Sequence, residues 1–456
     1  MRHYLKSTPG PVMTRLLRSF LLTPRFFVAG GVVVVLYIFS FFFPPILSGA
    51  HTALAVLGGL VGLDGVLLYG QEGNVSAQRV VPDRLSNGDE NPIRIHMRNT
   101  HPFAVQCGVV DEQPVQLQIR APEPHLTIPA GRTRTVRYTV RPTQRGKYTF
   151  GTVNLFVTSP LGLVERYTRQ DAELSVPVYP SFLQMRAYEL MAASNRLEEM
   201  GVTPVRRLGH TMEFDHIREY VVGDDRRSLN WKATARRGDL MVNEYRDERA
   251  QPVYCVINAG RVMEMPFNGM TLLDHSINAS LALARIALLK QDRAGLVAFS
   301  DQIGPVLPAQ RSDGHIRAFQ ERLYQLDTNF QEADYARLAT YVRTHLQRRG
   351  LLVLFTNFMT LSSLERQLPY LRALKRQYTV VVVFFENPKL STQARARAQT
   401  IEDIYVKTMA ERFVREKEEV VRTLRQNGCY AVHTPPQQLS TRTLNQYLEL
   451  KARGVV

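Results

Sequence analysis

Two apolar stretches, residues 26–43 and about 52–69, follow one another near the start of the chain, with Pro44-Pro45 between them. The first holds nothing more polar than Tyr37 and Ser40. Each is near the roughly 20 residues that a helix needs to cross a bilayer. The connection has room for only a tight turn, so the pair reads as a transmembrane helical hairpin over residues 26–70. A cleaved signal peptide fits poorly, because no small-x-small site is present and a second apolar segment follows at once. A soluble core hairpin fits poorly with such valine- and phenylalanine-rich density. Gly30-Gly31 and Gly58-Gly59 fall inside the spans and read as helix-packing positions.

Charge gives this hairpin a direction. Residues 1–25 form a basic leader with Arg2, Lys6, Arg15, Arg18 and Arg25 and no acid, and the first acid of the chain is Asp64. Positive flanks stay on the cytoplasmic side, which places the N-terminus inside. Two crossings return the chain to the same side, so everything after about residue 72, including the C-terminus, is expected in the cytoplasm. Asp64 lies near the inner end of the second span. It reads either as a functional intramembrane acid or, the preferred reading, as an acid that reaches headgroup water.

The whole chain has 456 residues and a net charge of +16, from 57 Lys plus Arg against 41 Asp plus Glu. The leader's five cations account for about a third of that excess, so the charge reports orientation at a membrane more than a nucleic-acid partner. Nucleic-acid binding would predict tight, steeply salt-dependent retention on DNA. The three cysteines, Cys107, Cys255 and Cys429, are odd in number and far apart, which excludes a disulfide framework and fits a reducing compartment.

Two folded modules are expected behind the hairpin. Residues 72–180 alternate β-favouring runs such as Ile93-Arg94-Ile95-His96-Met97 with turns such as Asn87-Gly88 and Arg145-Gly146. That rhythm predicts a small antiparallel β-sandwich, a spacer or protein-binding module with nothing catalytic in it. From residue 250 to 456 continuous apolar strands (253–257, 295–300, 351–355, 379–385, 429–433) alternate with amphipathic helices (270–290, 313–326, 334–349, 361–376, 394–426, 439–453). This predicts a doubly wound α/β domain with a parallel sheet covered on both faces. In such sheets ligands sit at the carboxyl ends of the strands, so the loops after Ile257 and Phe355 are where a site is sought.

Residues 181–249 form a linker and the most distinctive segment. It carries Glu213-Phe214, Arg218-Glu219-Tyr220, Gly223-Asp224, Arg226-Arg227 and Leu229-Asn230-Trp231-Lys232-Ala233-Thr234-Ala235-Arg236, with the only tryptophan. Ten Arg or Lys and nine Asp or Glu fall between residues 201 and 250. Opposed charge of this kind is no phosphate-binding stripe. It reads as an internal ion-pair clamp or as a docking surface, with Glu213, Arg218, Tyr220, Gly223, Asp224, Arg227, Trp231, Lys232 and Arg236 as the candidates.

That segment resembles the signature of the membrane proteins catalogued as domain of unknown function 58. The hairpin, Arg84-Leu85-Ser86-Asn87-Gly88, Arg145-Gly146-Lys147-Tyr148 and Ser159-Pro160-Leu161-Gly162-Leu163 are similar to the family's layout in the same order. The resemblance implies a von Willebrand factor A-like α/β domain, and genes placed beside a MoxR-type AAA+ ATPase and often a transglutaminase-like membrane protein. It brings no agreed biochemical activity. A von Willebrand A domain typically carries a metal-dependent adhesion site, with Asp-x-Ser-x-Ser after its first strand and an Asp after a later one. Here the matching positions are Asn258, Gly260, Val262 and Asn357, so every anionic ligand that a hard cation prefers is missing.

No P-loop, dinucleotide fingerprint, His-Glu-x-x-His or Cys-x-x-Cys occurs, and Cys255 reads as inert core. No catalytic, cofactor or metal residue is assigned. The expectation is a bacterial inner-membrane adaptor or scaffold that works with a MoxR-type ATPase and other membrane proteins of its operon, with the lipid bilayer as a further partner and no nucleic acid. The alternative is a hydrolase using Asp224 and Glu213 with Arg218.

Overall fold

The structure is a computed structural model, and it describes residues 19–70, 73–118, 124–193, 213–221, 224, 228–246, 250–312, 314–346 and 348–455. The chain divides into two compact units, Met1–Val178 and Tyr179–Val456.

In the first unit the two apolar stretches are helices, Pro24–Phe42 and Ile46–Tyr69, both long and apolar enough to cross a membrane. Pro24 sits in the first turn of its helix, where a missing N–H costs nothing. The second helix starts at Ile46, earlier than the sequence suggested. Its Ser48 and Thr52 hydroxyls donate to the carbonyls of Pro45 and Ser48 at 3.2 and 2.9 Å, so these polar residues satisfy themselves against the backbone. Phe27, Val28, Phe41 and Phe42 are all exposed, as lipid-facing side chains would be.

Asp64 corrects the preferred reading of that residue. It is fully buried and does not reach out to solvent. Its Oδ2 accepts the backbone N–H groups of Leu163 and Val164, both at 2.8 Å, and its Oδ1 accepts the Ser159 hydroxyl. On the same turn, the Thr23 hydroxyl donates to the Gly162 carbonyl at 2.6 Å. Three donors aimed at one carboxylate offset the cost of burying it. The acid thus clasps the Ser159-Pro160-Leu161-Gly162-Leu163 turn to the end of the second helix.

The rest of this unit is built on three sheets, in which the pairings of the two larger sheets, and of Leu174–Tyr179 with Gly146–Phe150 in the third, are antiparallel. The largest runs Phe20–Leu22, Val164–Gln170, Val153–Thr158, Val105–Asp111, His125–Ile128, so the last residues of the basic leader form a sheet strand. A second runs Val75–Val80, Asn91–Asn99, Thr133–Val140, and a third runs Leu85–Ser86, Leu174–Tyr179, Gly146–Phe150. Alternation is plain in Asn91–Asn99, where Ile93, Ile95 and Met97 turn inward and Arg94 and Arg98 outward. Arg79 is buried but paired with Asp111 and bonded to the Ala172 and Gly151 carbonyls at 2.8 and 3.0 Å, and the Tyr138 hydroxyl also reaches Asp111.

The second unit is built on a six-stranded sheet in the order Ile303–Gln310, Arg293–Phe299, Pro252–Asn258, Leu351–Phe355, Thr379–Phe385, Tyr430–Thr434. Five strands are parallel, but Ile303–Gln310 pairs antiparallel with Arg293–Phe299, which corrects the expectation of a wholly parallel sheet. Its Pro305 and Pro308 lack N–H groups and are tolerated because it is an edge strand. Separate apolar clusters cover the two faces. Helices Leu272–Leu289 and Leu439–Ala452 pack on one, and Tyr335–His345, Leu361–Lys375 and Ile401–Gln426 on the other. Leu272–Leu289 is as apolar as a membrane span, yet 78% of it is buried as the core helix of this unit.

The single long helix expected over 394–426 is two helices, Pro388–Arg395 and Ile401–Gln426. Thr400 caps the second through a reciprocal pair with Asp403, which fixes its start. Asn387 likewise caps the first, accepting the Lys389 N–H at 3.1 Å. At the amino ends of the strands, Asp292 Oδ2 accepts from Lys451 Nζ at 2.7 Å and from the Tyr447 hydroxyl at 2.5 Å. Its Oδ1 takes the Gln251 N–H at 3.2 Å, so a buried charge pair is completed by hydrogen bonds.

Candidate functional site

The signature segment folds as an antiparallel ribbon, Glu213–Glu219 with Met241–Arg246, followed inside by the short helix Trp231–Arg237. Asn230 caps that helix by accepting the Ala233 N–H at 3.0 Å, and its amide donates to Asn243 at 2.7 Å. Thr234 Oγ1 accepts the Met241 N–H at 3.0 Å, which ties the helix back to the ribbon. Arg218 grips Asp224 with two parallel bonds of 2.8 Å, and Asp224 also accepts the Val221 N–H at 2.9 Å. These bonds hold the Asp224 carboxyl below its usual range, the Arg218 contact first. With both oxygens engaged, Asp224 is poorly placed to act as a base.

Glu213 starts the ribbon opposite Arg246, and the Tyr220 N–H donates to the Leu240 carbonyl at 2.8 Å. Trp231 is 69% exposed, and Lys232 and Arg236 are exposed on the same short helix. Lys232, Arg236 and Arg237 line a shallow basic concavity with Ile217 and Met241. Gly223 and Arg227 lie outside the described residues.

The four positions compared above with an adhesion site, Asn258, Gly260, Val262 and Asn357, lie at or just past the carboxyl ends of the strands Pro252–Asn258 and Leu351–Phe355. Buried Asn258 accepts the Gly260 N–H at 2.8 Å and donates to Thr356 Oγ1 at 3.0 Å. Thr356 also meets the Tyr335 hydroxyl at 2.6 Å, and burial pushes that phenol up to about 12. A Cβ at Gly260 would stand 2.8 Å from the Gln331 carbonyl oxygen, so a serine at this position would collide with backbone. Val262 packs against the sheet's apolar core. Among the described residues no group of three or more His, Cys, Asp or Glu could hold a metal ion.

Asn357, the remaining position, faces a lysine that the sequence alone did not single out. Lys417 Nζ, from the helix Ile401–Gln426, donates to Asn357 Oδ1 at 3.3 Å and to the Phe358 carbonyl. Both acceptors are neutral, and burial lowers this ammonium to about 8 despite the upward pull of Glu416. The ammonium also stands 5.9 Å from the centre of the Phe384 ring.

Lys417 lines a cavity of about 930 Å³ at the carboxyl ends of Leu351–Phe355, Thr379–Phe385 and Tyr430–Thr434. Its walls are largely apolar, with Phe267, Met359, Phe385, Leu390 and Phe413 among them. Glu386, Glu418, Lys389 and Arg395 are its other charged residues. Glu386 accepts the Ser391 hydroxyl at 2.7 Å. His433 stacks on Phe384 with ring centres 4.8 Å apart, and its buried Nε2 has no hydrogen-bond partner. Burial, the largest influence, lowers its imidazole below the usual value.

The sequence directed attention to the carboxyl ends of the strands, where this cavity lies, but did not single out Phe413 or Lys417. Phe413 and Lys417 are one helical turn apart, yet in a helix crowded with charge they look like a solvated face. Only the return of that helix over the strand ends brings them to Asn357.

Residues 216–415 match the family described as "Protein of unknown function DUF58". A curated relative, "Uncharacterized protein YeaD" of Bacillus subtilis (strain 168), is 22% identical over 256 residues, 55% of this chain. The chain spans 62% of that relative's length. Among solved structures, the CARDB domain of a Pyrococcus furiosus protein in complex with di-metal ions is 15% identical. It covers 24% of this chain and 94% of that one, with a TM-score of 0.18. The ASH / PapD-like domain of human CEP192 is 15% identical over 24% of this chain and 86% of its own, with a TM-score of 0.19. Proximal thread matrix protein 1 from the mussel byssus is 10% identical, covers 45% of this chain and 48% of its own, and scores 0.26.

Proposed function

We propose that the chain is a bacterial inner-membrane adaptor without enzymatic activity, anchored by its helical hairpin with both termini in the cytoplasm. In this reading the first unit is a β-sandwich spacer, and the second is a von Willebrand factor A-like domain whose metal site has been replaced. The partner is a MoxR-type AAA+ ATPase, acting with the adaptor in assembly or remodelling of other proteins.

One observation carries the reading. The positions where a cation would be held are occupied by neutral side chains engaged with protein groups: Asn258 with Gly260 and Thr356, and Asn357 with the Lys417 ammonium. A lysine ammonium beside the site disfavours a divalent cation electrostatically. The sheet order, with one antiparallel edge strand and helices on both faces, is compatible with a von Willebrand A-like domain. The exposed apolar flanks of Pro24–Phe42 and Ile46–Tyr69 support the anchor.

The test is purification of the full chain from detergent-solubilised membranes of its host, followed by mass spectrometry. Reproducible recovery of a MoxR-type ATPase supports the adaptor. Its consistent absence, with the chain intact, argues against it. A periplasm-active reporter fused after Val456 is expected to be silent.

A further inference from the structure

We propose that the cavity at the carboxyl ends of the strands binds a ligand that carries one carboxylate on an apolar body, with the Lys417 ammonium as the partner of that carboxylate. An ammonium has three donors. Two of those of Lys417 go to the neutral oxygens of Asn357 and Phe358. No carboxylate of the described residues lies within ion-pair distance of it. Of the acids nearby, Glu416 accepts the Leu361 N–H at 2.9 Å, Glu386 accepts Ser391, and Glu418 is exposed to solvent on the cavity rim. A half-buried cation without an ion-pair partner at contact distance is costly, and a ligand's carboxylate would remove that cost.

The remaining wall argues for what the carboxylate is attached to. Phe267, Met359, Phe385, Leu390 and Phe413 offer apolar surface, and 930 Å³ lies in the range of cavities that enclose small organic molecules. The buried, unpartnered Nε2 of His433 is a second polar point on the same wall. A dianion such as a phosphate would want more than one buried cation, and Lys389 and Arg395 are exposed.

The probe is 2-naphthoate, compared with its uncharged amide, 2-naphthamide, by equilibrium dialysis against the full chain in detergent micelles at pH 7. We expect the acid to bind about tenfold more tightly than the amide, the scale of a charge-assisted bond. Lys417→Met keeps the stem and is expected to abolish that preference. Equal affinities in the wild type, or a preference that survives Lys417→Met, overturns the proposal. Should that variant fail to fold, the wild type gives the answer by acetylation with acetic anhydride and peptide mass spectrometry. 2-Naphthoate, and not the amide, should shield Lys417 while leaving exposed Lys232 reactive; an unshielded Lys417 overturns the proposal equally. The result is independent of whether an ATPase co-purifies.

Discussion

Lys451 and Lys417 stand at opposite ends of the same sheet and meet different surroundings. Lys451, at the amino ends of the strands, is buried against Asp292 at 2.7 Å, and its Nζ donates a further hydrogen bond to the Lys290 carbonyl at 3.0 Å. Tyr447 and the Gln251 N–H complete the carboxylate. Lys417, at the carboxyl ends, has two neutral oxygens and a cavity. A buried charge that the fold has neutralised holds structure together. One left without an ion-pair partner at the carboxyl edge of an α/β sheet is available for recognition.

Three perturbations separate these roles, and the largest effect belongs to the closed pair. Asp292→Ala removes the carboxylate that neutralises the buried Lys451 ammonium and accepts the Tyr447 hydroxyl, and should destabilise the second unit by about 3–5 kcal/mol, read by thermal unfolding in detergent. Lys417→Met should change stability by about 1 kcal/mol or less, because no ion pair is broken. A loss from Lys417→Met as large as that from Asp292→Ala would erase the distinction. Arg218→Met, which removes a half-buried ion pair of the signature ribbon, should have the smallest effect on global stability and act locally, visible as faster amide exchange at Val221.

The pH dependence sharpens the comparison further. Lys417 is lowered to about 8 from a usual 10.5, so below pH 8 it is charged in both the folded and unfolded chain. Between about 8 and 10.5 the folded chain has released the proton and the unfolded chain still holds it. Stability from this residue therefore rises with pH across that window. The stability difference between wild type and Lys417→Met should move in favour of the wild type as pH is raised from 8 to 10.5. A flat difference would mean that the lysine is not buried as described. Affinity for 2-naphthoate should fall over the same rise, since the neutral amine no longer pairs with the carboxylate.

Much of the architecture was legible in the residues. The apolar runs gave the two helices, and the runs at 253–257, 351–355 and 379–385 gave the central strands, because buried strands need unbroken apolar side chains. The edge strand Ile303–Gln310 escaped notice, since its prolines hide it and its pairing is set by a neighbour. Asp64 was legible as an unusual acid but not as a clasp, because its donors lie about a hundred residues later, at Ser159, Leu163 and Val164. The positions Asn258, Gly260, Val262 and Asn357 could be read as lacking acidic ligands, but the Lys417 contact could not. Its sequence neighbours are charged and solvated, and only the tertiary path of one helix decides where that ammonium points.

The most direct measurement is the pH at which Lys417 becomes half-reactive toward acetic anhydride, followed by mass spectrometry of its peptide in the full-length protein. The midpoint is expected near 8 without ligand. With saturating 2-naphthoate it should rise by about one pH unit or more, since a carboxylate at contact distance favours the charged ammonium. A midpoint that stays where it was with the site saturated would contradict the assignment of Lys417 as the anion's partner.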